Sequence, residues 1–223
     1  MLPVQENTVV VLFLNLLLKS LALAFSVSNK YSDQLAPISE HLILSGELTS
    51  DMASKLPNWF SSKEGLTGES PAVFGGCGME LIQAGKSLAP PEEESETIHD
   101  FDSSIVTLVE ALQVCSADLA AAACTLDPIG IGEEMDMACE AVLDLASCLQ
   151  KEDSPAAVQA SQEAVHEAFQ KCCDSFRDYG DLLLAEDSNK GESAAGNILS
   201  RAGDELGKAG TLFQTLVLCS QKD

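Results

Sequence analysis

The chain reads as an all-α protein: an irregular, partly helical N-terminal region, then a disulfide-stabilised bundle of about four helices over residues 101–220. Three observations predict this. Aromatics make up only 5% of the 223 residues, and Ala, Leu and Val carry the apolar load, which favours helix over sheet. From Phe101 onward apolar residues recur every three to four positions, in stretches separated by proline and glycine. Two C-x8-C segments, Cys115 to Cys124 and Cys139 to Cys148, flank the breaker Pro128-Ile129-Gly130-Ile131-Gly132 symmetrically. The arms of a helical hairpin joined by nested disulfides leave such a pattern.

Residues 1–24 carry an apolar run, Val9 to Leu18 with one Asn, followed by Leu21-Ala22-Leu23-Ala24. A small-x-small site after a run too short to span a bilayer predicts a cleaved signal peptide, with Phe25 first in the exported chain. A leading Phe also resembles the presequences of algae with secondary plastids. The acidic residues that follow (Asp33, Glu40, Glu47, Asp51) are uncommon in such leaders.

Residues 25–96 give mixed signals. Short helices are expected over Pro37–Glu47, over Ser50–Leu56 with Ser50 as N-cap, and over Met79–Leu88. Gly75-Gly76-Cys77-Gly78 reads as a turn, and Ala89 to Glu96 as a stiff acidic Pro/Glu linker. The bundle domain then runs over 97–223.

Its first helix follows Phe101, Ile105, Leu108, Leu112, Cys115, Leu119 and Ala122, with Asp102 as cap and Pro128 as stop. The second follows Met135, Cys139, Val142, Ala146 and Leu149, with Glu133-Glu134 placed well against the helix dipole. Ser154-Pro155 is a cap with proline at the first helical position. It opens a third stripe of Val158, Val165, Phe169, Cys172, Phe176 and Tyr179, with Gly180 as a stop. The last helix, Ser193 to Cys219, repeats Ala-Gly every seven residues at 195–196, 202–203 and 209–210. Each glycine costs an isolated helix about 1 kcal/mol relative to Ala. The repeat therefore predicts a face on which another backbone packs closely, near antiparallel.

All eight cysteines (Cys77, Cys115, Cys124, Cys139, Cys148, Cys172, Cys173 and Cys219) follow the leader, and their even number suits disulfides in an oxidising compartment. Cys124–Cys139 and Cys115–Cys148 are the favoured pairs. Residues nine apart on a straight helix point about 180° apart, so the scheme needs Cys124 beyond the helix end. Cys172 and Cys173 are adjacent and are expected to reach different partners. Cys77, in a glycine-rich turn, is expected in a bridge rather than as a nucleophile.

No reaction is legible. His166-Glu167-Ala168-Phe169-Gln170 lacks the second histidine of a zinc helix, and isoleucines occupy the ligand places of a calcium loop at Asp127 to Gly132. His41, His99 and His166 are scattered and read as solvated. No cofactor, metal centre or catalytic residue is expected. With 35 acidic against 12 basic residues and a net charge of −23, the chain repels nucleic acid and anionic membranes. Weak divalent-cation association along Glu92 to Asp102 is the exception that charge allows.

The architecture so predicted is similar to plant pectinesterase and invertase inhibitors, exported four-helix bundles with bridges, although their N-terminal cysteine motif is not visible. The expected role is a secreted, non-enzymatic binding or interaction protein. An acidic matrix protein associating with cations or mineral, and a carrier of a small apolar ligand, are the alternatives.

Overall fold

A computed structural model describes residues 31, 33–56, 70–89, 101–185 and 190–218. The expected leader 1–24, Trp59-Phe60, residues 90–96 of the expected linker, His99 and Cys219 lie outside these residues. Among the described residues the chain is all-helical, with no strand and six helices: the four expected over 101–220 and two more before them. These are α1 (33–55), α2 Ser70–Leu88, α3 Phe101–Leu126, α4 Gly132–Gln150, α5 Pro155–Ala185 and α6 Lys190–Thr215.

The two additional helices are in the region expected to be irregular. α1 passes through Ser50, the expected N-cap, without a break, and α2 contains the glycine cluster expected as a turn. Both insert side chains fully into the core: Ile38, Leu42 and Met52 from α1, Phe74, Cys77 and Leu81 from α2. At about 1.5–3 kcal/mol for each large apolar side chain, such burial outweighs the glycines that weaken α2.

Those glycines serve packing. A β-carbon on Gly78 would stand 2.6 Å from the Gly46 carbonyl oxygen and 2.9 Å from the Ser50 amide nitrogen of α1. The same contact recurs in the other two hairpins. A β-carbon on Gly132 of α4 would meet Ala123 O at 2.6 Å and Asp127 N at 3.1 Å; one on Gly180 of α5 would meet Gly196 O at 2.7 Å and Ser200 N at 3.3 Å. Each hairpin thus crosses with one backbone against a carbonyl and the amide four residues on. Gly180 is a packing residue inside α5 and not its stop, because the missing side chain lets α6 approach.

Consecutive helices are antiparallel neighbours, and α1 returns to α6. Ser45 Oγ donates to Ala202 O at 2.9 Å, the Val217 amide donates to Gln34 Oε1 at 2.7 Å, and Tyr31 OH donates to Leu218 O at 3.4 Å. Across the middle of this closed ring Phe74 of α2 meets Tyr179 of α5 edge-on, with centroids 5.3 Å apart. Phe169 and Phe213 stack tilted at 5.7 Å between α5 and α6. The end of α6 is closed by buried Gln162 of α5, whose amide donates to the carbonyls of Phe213 and Leu216, each at 2.9 Å.

The expected punctuation holds where it rests on rigid residues. Pro128 lies in a 3₁₀ turn, Asp127–Ile129, that ends α3, and Gly130 adopts φ 77° as the turn closes. Ser154 Oγ accepts the Ala157 amide at 3.3 Å just before Pro155 opens α5. Glu133 and Glu134 occupy the first turn of α4. α3 already begins at Phe101, which puts Asp102 inside its first turn. α6 ends at Thr215, short of Cys219. One feature had no sequence signal: Glu152 takes φ 54° after α4. Its amide donates to Leu149 O and that of Asp153 to Cys148 O, the double bond of a left-handed helix terminus usually given to glycine.

The nested disulfides are not seen. The seven described cysteines are free thiols, and no pair lies at bonding distance. The hairpin register explains why. Ser116 of α3 faces Cys139 of α4 and Ala123 faces Gly132, so Cys139 is level with residues near 117. Cys124 then lies roughly 10 Å further along the axis at ~1.5 Å per residue, beyond the ~4.4–6.8 Å between α-carbons that a bridge spans. Cys115 and Cys148 are displaced by the same amount.

Candidate functional site

On the side of the ring where α1, α5 and α6 meet, a groove of about 530 Å³ is lined by His41, Gln170, Cys173, Arg177, Asp204, Gly207, Lys208, Thr211 and Leu212. Helical periodicity places these groups. Gln170, Cys173 and Arg177 share one edge of α5, and Asp204, Gly207, Lys208 and Thr211 share one edge of α6, each set at steps of three or four. Gly207 forms the floor: a β-carbon there would stand 3.3 Å from Gln170 Nε2 and 3.4 Å from Cys173 Sγ. Gln170 Nε2 donates to Gly207 O at 2.9 Å and ties the two edges together.

The charges are paired within the groove. Arg177 Nε donates to Asp204 Oδ1 at 2.8 Å, and a terminal guanidinium nitrogen reaches the same oxygen at 2.5 Å. The Asp204 hydrogen bond raises the Arg177 pKa above its ordinary value. Glu205, behind the α6 edge, holds two groups at once: His41 Nδ1 at 2.6 Å on Oε2 and Lys208 Nζ at 2.7 Å on Oε1. Burial works to raise the Glu205 carboxyl, but Lys208 and His41 outweigh it, and its pKa lies below the ordinary value. Burial pushes the Cys173 thiol up; Asp204 and Asp174 add to this, while Arg177 opposes it.

The adjacent cysteines of α5 do face different helices. Cys172 Sγ donates to Glu134 O of α4 at 3.1 Å, whereas Cys173 lies against Gly207 of α6. Cys77, Cys115 and Cys172 are buried, and burial drives each thiol far above its normal pKa. Cys148 Sγ lies 3.2 Å from Ser161 Oγ, and Cys124 is exposed. Apart from Cys173, the groove contains none of the expected cysteines. His41 is held by Glu205 rather than merely solvated, and His166 is half-buried with Nδ1 unbonded. Among the described residues no three His, Cys, Asp or Glu side chains converge as a metal site.

The sequence did not single out Arg177, Asp204 or Glu205 and read His41 as solvated, because 164 positions separate His41 from Glu205. The Ala-Gly heptad of α6 was the available signal, since a face of small residues thins the helix and leaves its polar edge open beside the contact. Comparison of the chain with protein-family models, curated proteins and solved structures gives no match.

Proposed function

We propose that the chain is a secreted, non-enzymatic binding protein whose groove between α1, α5 and α6 takes a small ligand bearing charges of both signs. One observation carries this reading. The groups with shifted pKa in the groove and just behind it are moved away from reactivity: the Cys173 thiol upward, the Arg177 guanidinium upward, and the Glu205 carboxyl that holds His41 and Lys208 downward. A nucleophile or general acid needs the reverse, a value brought near the working pH. Paired Arg177–Asp204 and Lys208–Glu205 instead offer partners to a carboxylate and an ammonium. The groove volume also suits a small molecule. Export through the leader 1–24 and cross-linking of helices by disulfides belong to the same proposal, since a bridge typically adds about 2–4 kcal/mol.

The test is thermal unfolding against a panel of zwitterionic, anionic, cationic and apolar compounds, for the wild type and Arg177→Ala. A zwitterion at about 100 times its Kd should stabilise the wild type by about 2.7 kcal/mol, and the Arg177→Ala protein far less. Stabilisation by apolar compounds alone would replace this reading with a carrier. Calcium uptake at many weak sites without zwitterion binding would replace it with an acidic matrix protein, which the net charge of −23 otherwise favours.

A further inference from the structure

α3 gives its core side and both flanks to neighbours and leaves an apolar outer side bare. Ser116 Oγ donates to the Cys139 carbonyl of α4 at 3.1 Å, and a β-carbon on Gly76 of α2 would lie 3.4 Å from Thr125 Cγ2. These contacts fix the two flanks, with Leu112, Cys115 and Leu119 fully buried between them. Helical periodicity then puts Val106, Val114, Ala117 and Ala121 on the opposite side, where Val106 is 54% and Val114 52% exposed. Leu143 of α4, four residues after Cys139 on the same edge, adds an apolar side chain that is 44% exposed. Glu110 interrupts this lane near one end. By length and composition the most apolar part of α3 would pass for a membrane span, yet only 39% of it is buried in the fold.

Carboxylates border the lane on both sides. Exposed Asp136, Glu140 and Asp144 follow one another at four-residue steps along α4. On the other side Asp118 sits in the α2/α3 seam with Glu80; burial raises the Asp118 pKa, and the charge of Glu80 raises it further. Together α2, α3 and α4 carry nine Asp and Glu residues and one base, Lys86 in the last turn of α2. We propose that the outer face of α3, between these acidic rows, docks a cationic amphipathic helix of a partner protein. Apolar side chains of that helix would cover Val106 to Ala121, a length of roughly 22 Å or about four turns. Its Lys and Arg residues would flank the stripe and meet the carboxylates of α4 on one side and of the α2/α3 seam on the other. Ala117 and Ala121 are small enough to let the two helices approach closely. A second copy of this chain would set carboxylate against carboxylate, and an anionic membrane is repelled for the same reason. The inference rests on α2, α3 and α4 and is independent of the groove and of export.

The probe is a labelled helical peptide of leucine and lysine, about five turns long, with leucines at steps of three and four. Its binding to the full chain is read by fluorescence anisotropy. One control peptide has the same composition with the leucines scattered; the other keeps the leucine stripe and has glutamate for lysine. The wild type should bind the leucine–lysine helix and neither control. Ala117→Lys puts a long cation in the middle of the lane and should weaken binding by about tenfold or more. Glu140→Lys should weaken it about fivefold, the size of one exposed ion pair. Glu163→Lys makes the same charge change on the exposed side of α5 and should leave binding nearly unchanged. All three positions are exposed or on the surface row of their helices, and unchanged unfolding midpoints would show that the variants fold. No binding of the leucine–lysine helix, equal binding of either control peptide, or equal loss in Glu140→Lys and Glu163→Lys would overturn the proposal. So would a dimer in sedimentation that Ala117→Lys dissociates, or uptake by neutral phosphatidylcholine vesicles that Ala117→Lys abolishes, since these assign the face to a second copy or to a lipid surface.

Discussion

Gly75 and Gly78 lie three residues apart on α2, and the fold assigns opposite signs to their replacement by alanine. A β-carbon on Gly75 would meet only the Ala53 β-carbon, at 3.9 Å, which is ordinary contact. Gly75→Ala should therefore gain most of the helix-propensity difference, about 0.5–1 kcal/mol. On Gly78 the same methyl would press on Ser50 Oγ and on two backbone atoms of α1, Gly46 O at 2.6 Å and Ser50 N at 2.9 Å. Backbone cannot step aside as a flexible side chain does, so overpacking should cost about 3 kcal/mol, the upper end of its usual range. Less about 1 kcal/mol of propensity, the net loss is ~2 kcal/mol. With a urea m-value of about 2–3 kcal/mol/M, the unfolding midpoint should fall by roughly 0.7–1 M for Gly78→Ala and rise by roughly 0.2–0.5 M for Gly75→Ala. Urea unfolding followed by far-ultraviolet circular dichroism measures both. If Gly75→Ala lowered the midpoint as Gly78→Ala does, the segment would be the turn that its glycines suggest, and the α1/α2 hairpin would be wrong.

Other consequences are open to the same methods. Ser45→Ala removes the buried bond to Ala202 O between α1 and α6 and should cost about 1–2 kcal/mol in the same assay; no change would mean that α1 does not close on α6. Glu152→Gly relieves a left-handed non-glycine residue and should stabilise by about 1 kcal/mol, whereas destabilisation would contradict that helix terminus. Because the folded Glu205 pKa is depressed, its contribution is fully present above the ordinary glutamate value near ~4.3 and is lost as pH falls through the lower folded value. Midpoints between about pH 2 and pH 6 should accordingly separate wild type from Glu205→Gln at the upper end and converge at the lower; a pH-independent difference would refute the Lys208–Glu205–His41 arrangement. In the native, reduced protein iodoacetamide should modify exposed Cys124 and spare Cys77, Cys115 and Cys172 until unfolding, which peptide mass spectrometry reads directly.

The helices legible in the sequence are those whose apolar stripes are unbroken. α3, α4 and α5 show Leu, Phe and Cys at regular spacing, and Pro128 and Ser154-Pro155 mark their ends with fixed backbone chemistry. On sequence α1 breaks at Ser50, an expected N-cap, and α2 starts only after a turn at Gly75 to Gly78; Ser50 and Gly78 are small residues, as are Gly46 and Gly85 inside the expected helices. These same residues form the surface on which the two backbones touch, as where Gly85 meets Ser39 O. Composition alone cannot distinguish a small residue that frees the chain from one that lets another helix approach. The α6 heptad escaped this ambiguity through its repetition. The symmetric cysteine spacing misled for a different reason: it presumed a hairpin centred on residues 131–132, whereas the Ser116–Cys139 and Ala123–Gly132 contacts centre it about four residues earlier. The groove was illegible because it needs His41 beside Glu205, a juxtaposition created only when the first helix returns to the last.

That return makes α1 and α2 integral to the core, and hydrogen exchange of the full chain read by mass spectrometry addresses it directly. The account expects amides of 38–54 and 73–86 to be protected to the same degree as those of 142–149 and 195–209, exchanging only with global unfolding. Exchange of 38–54 and 73–86 within seconds, while the later helices stayed protected, would contradict the six-helix ring and the groove that depends on it.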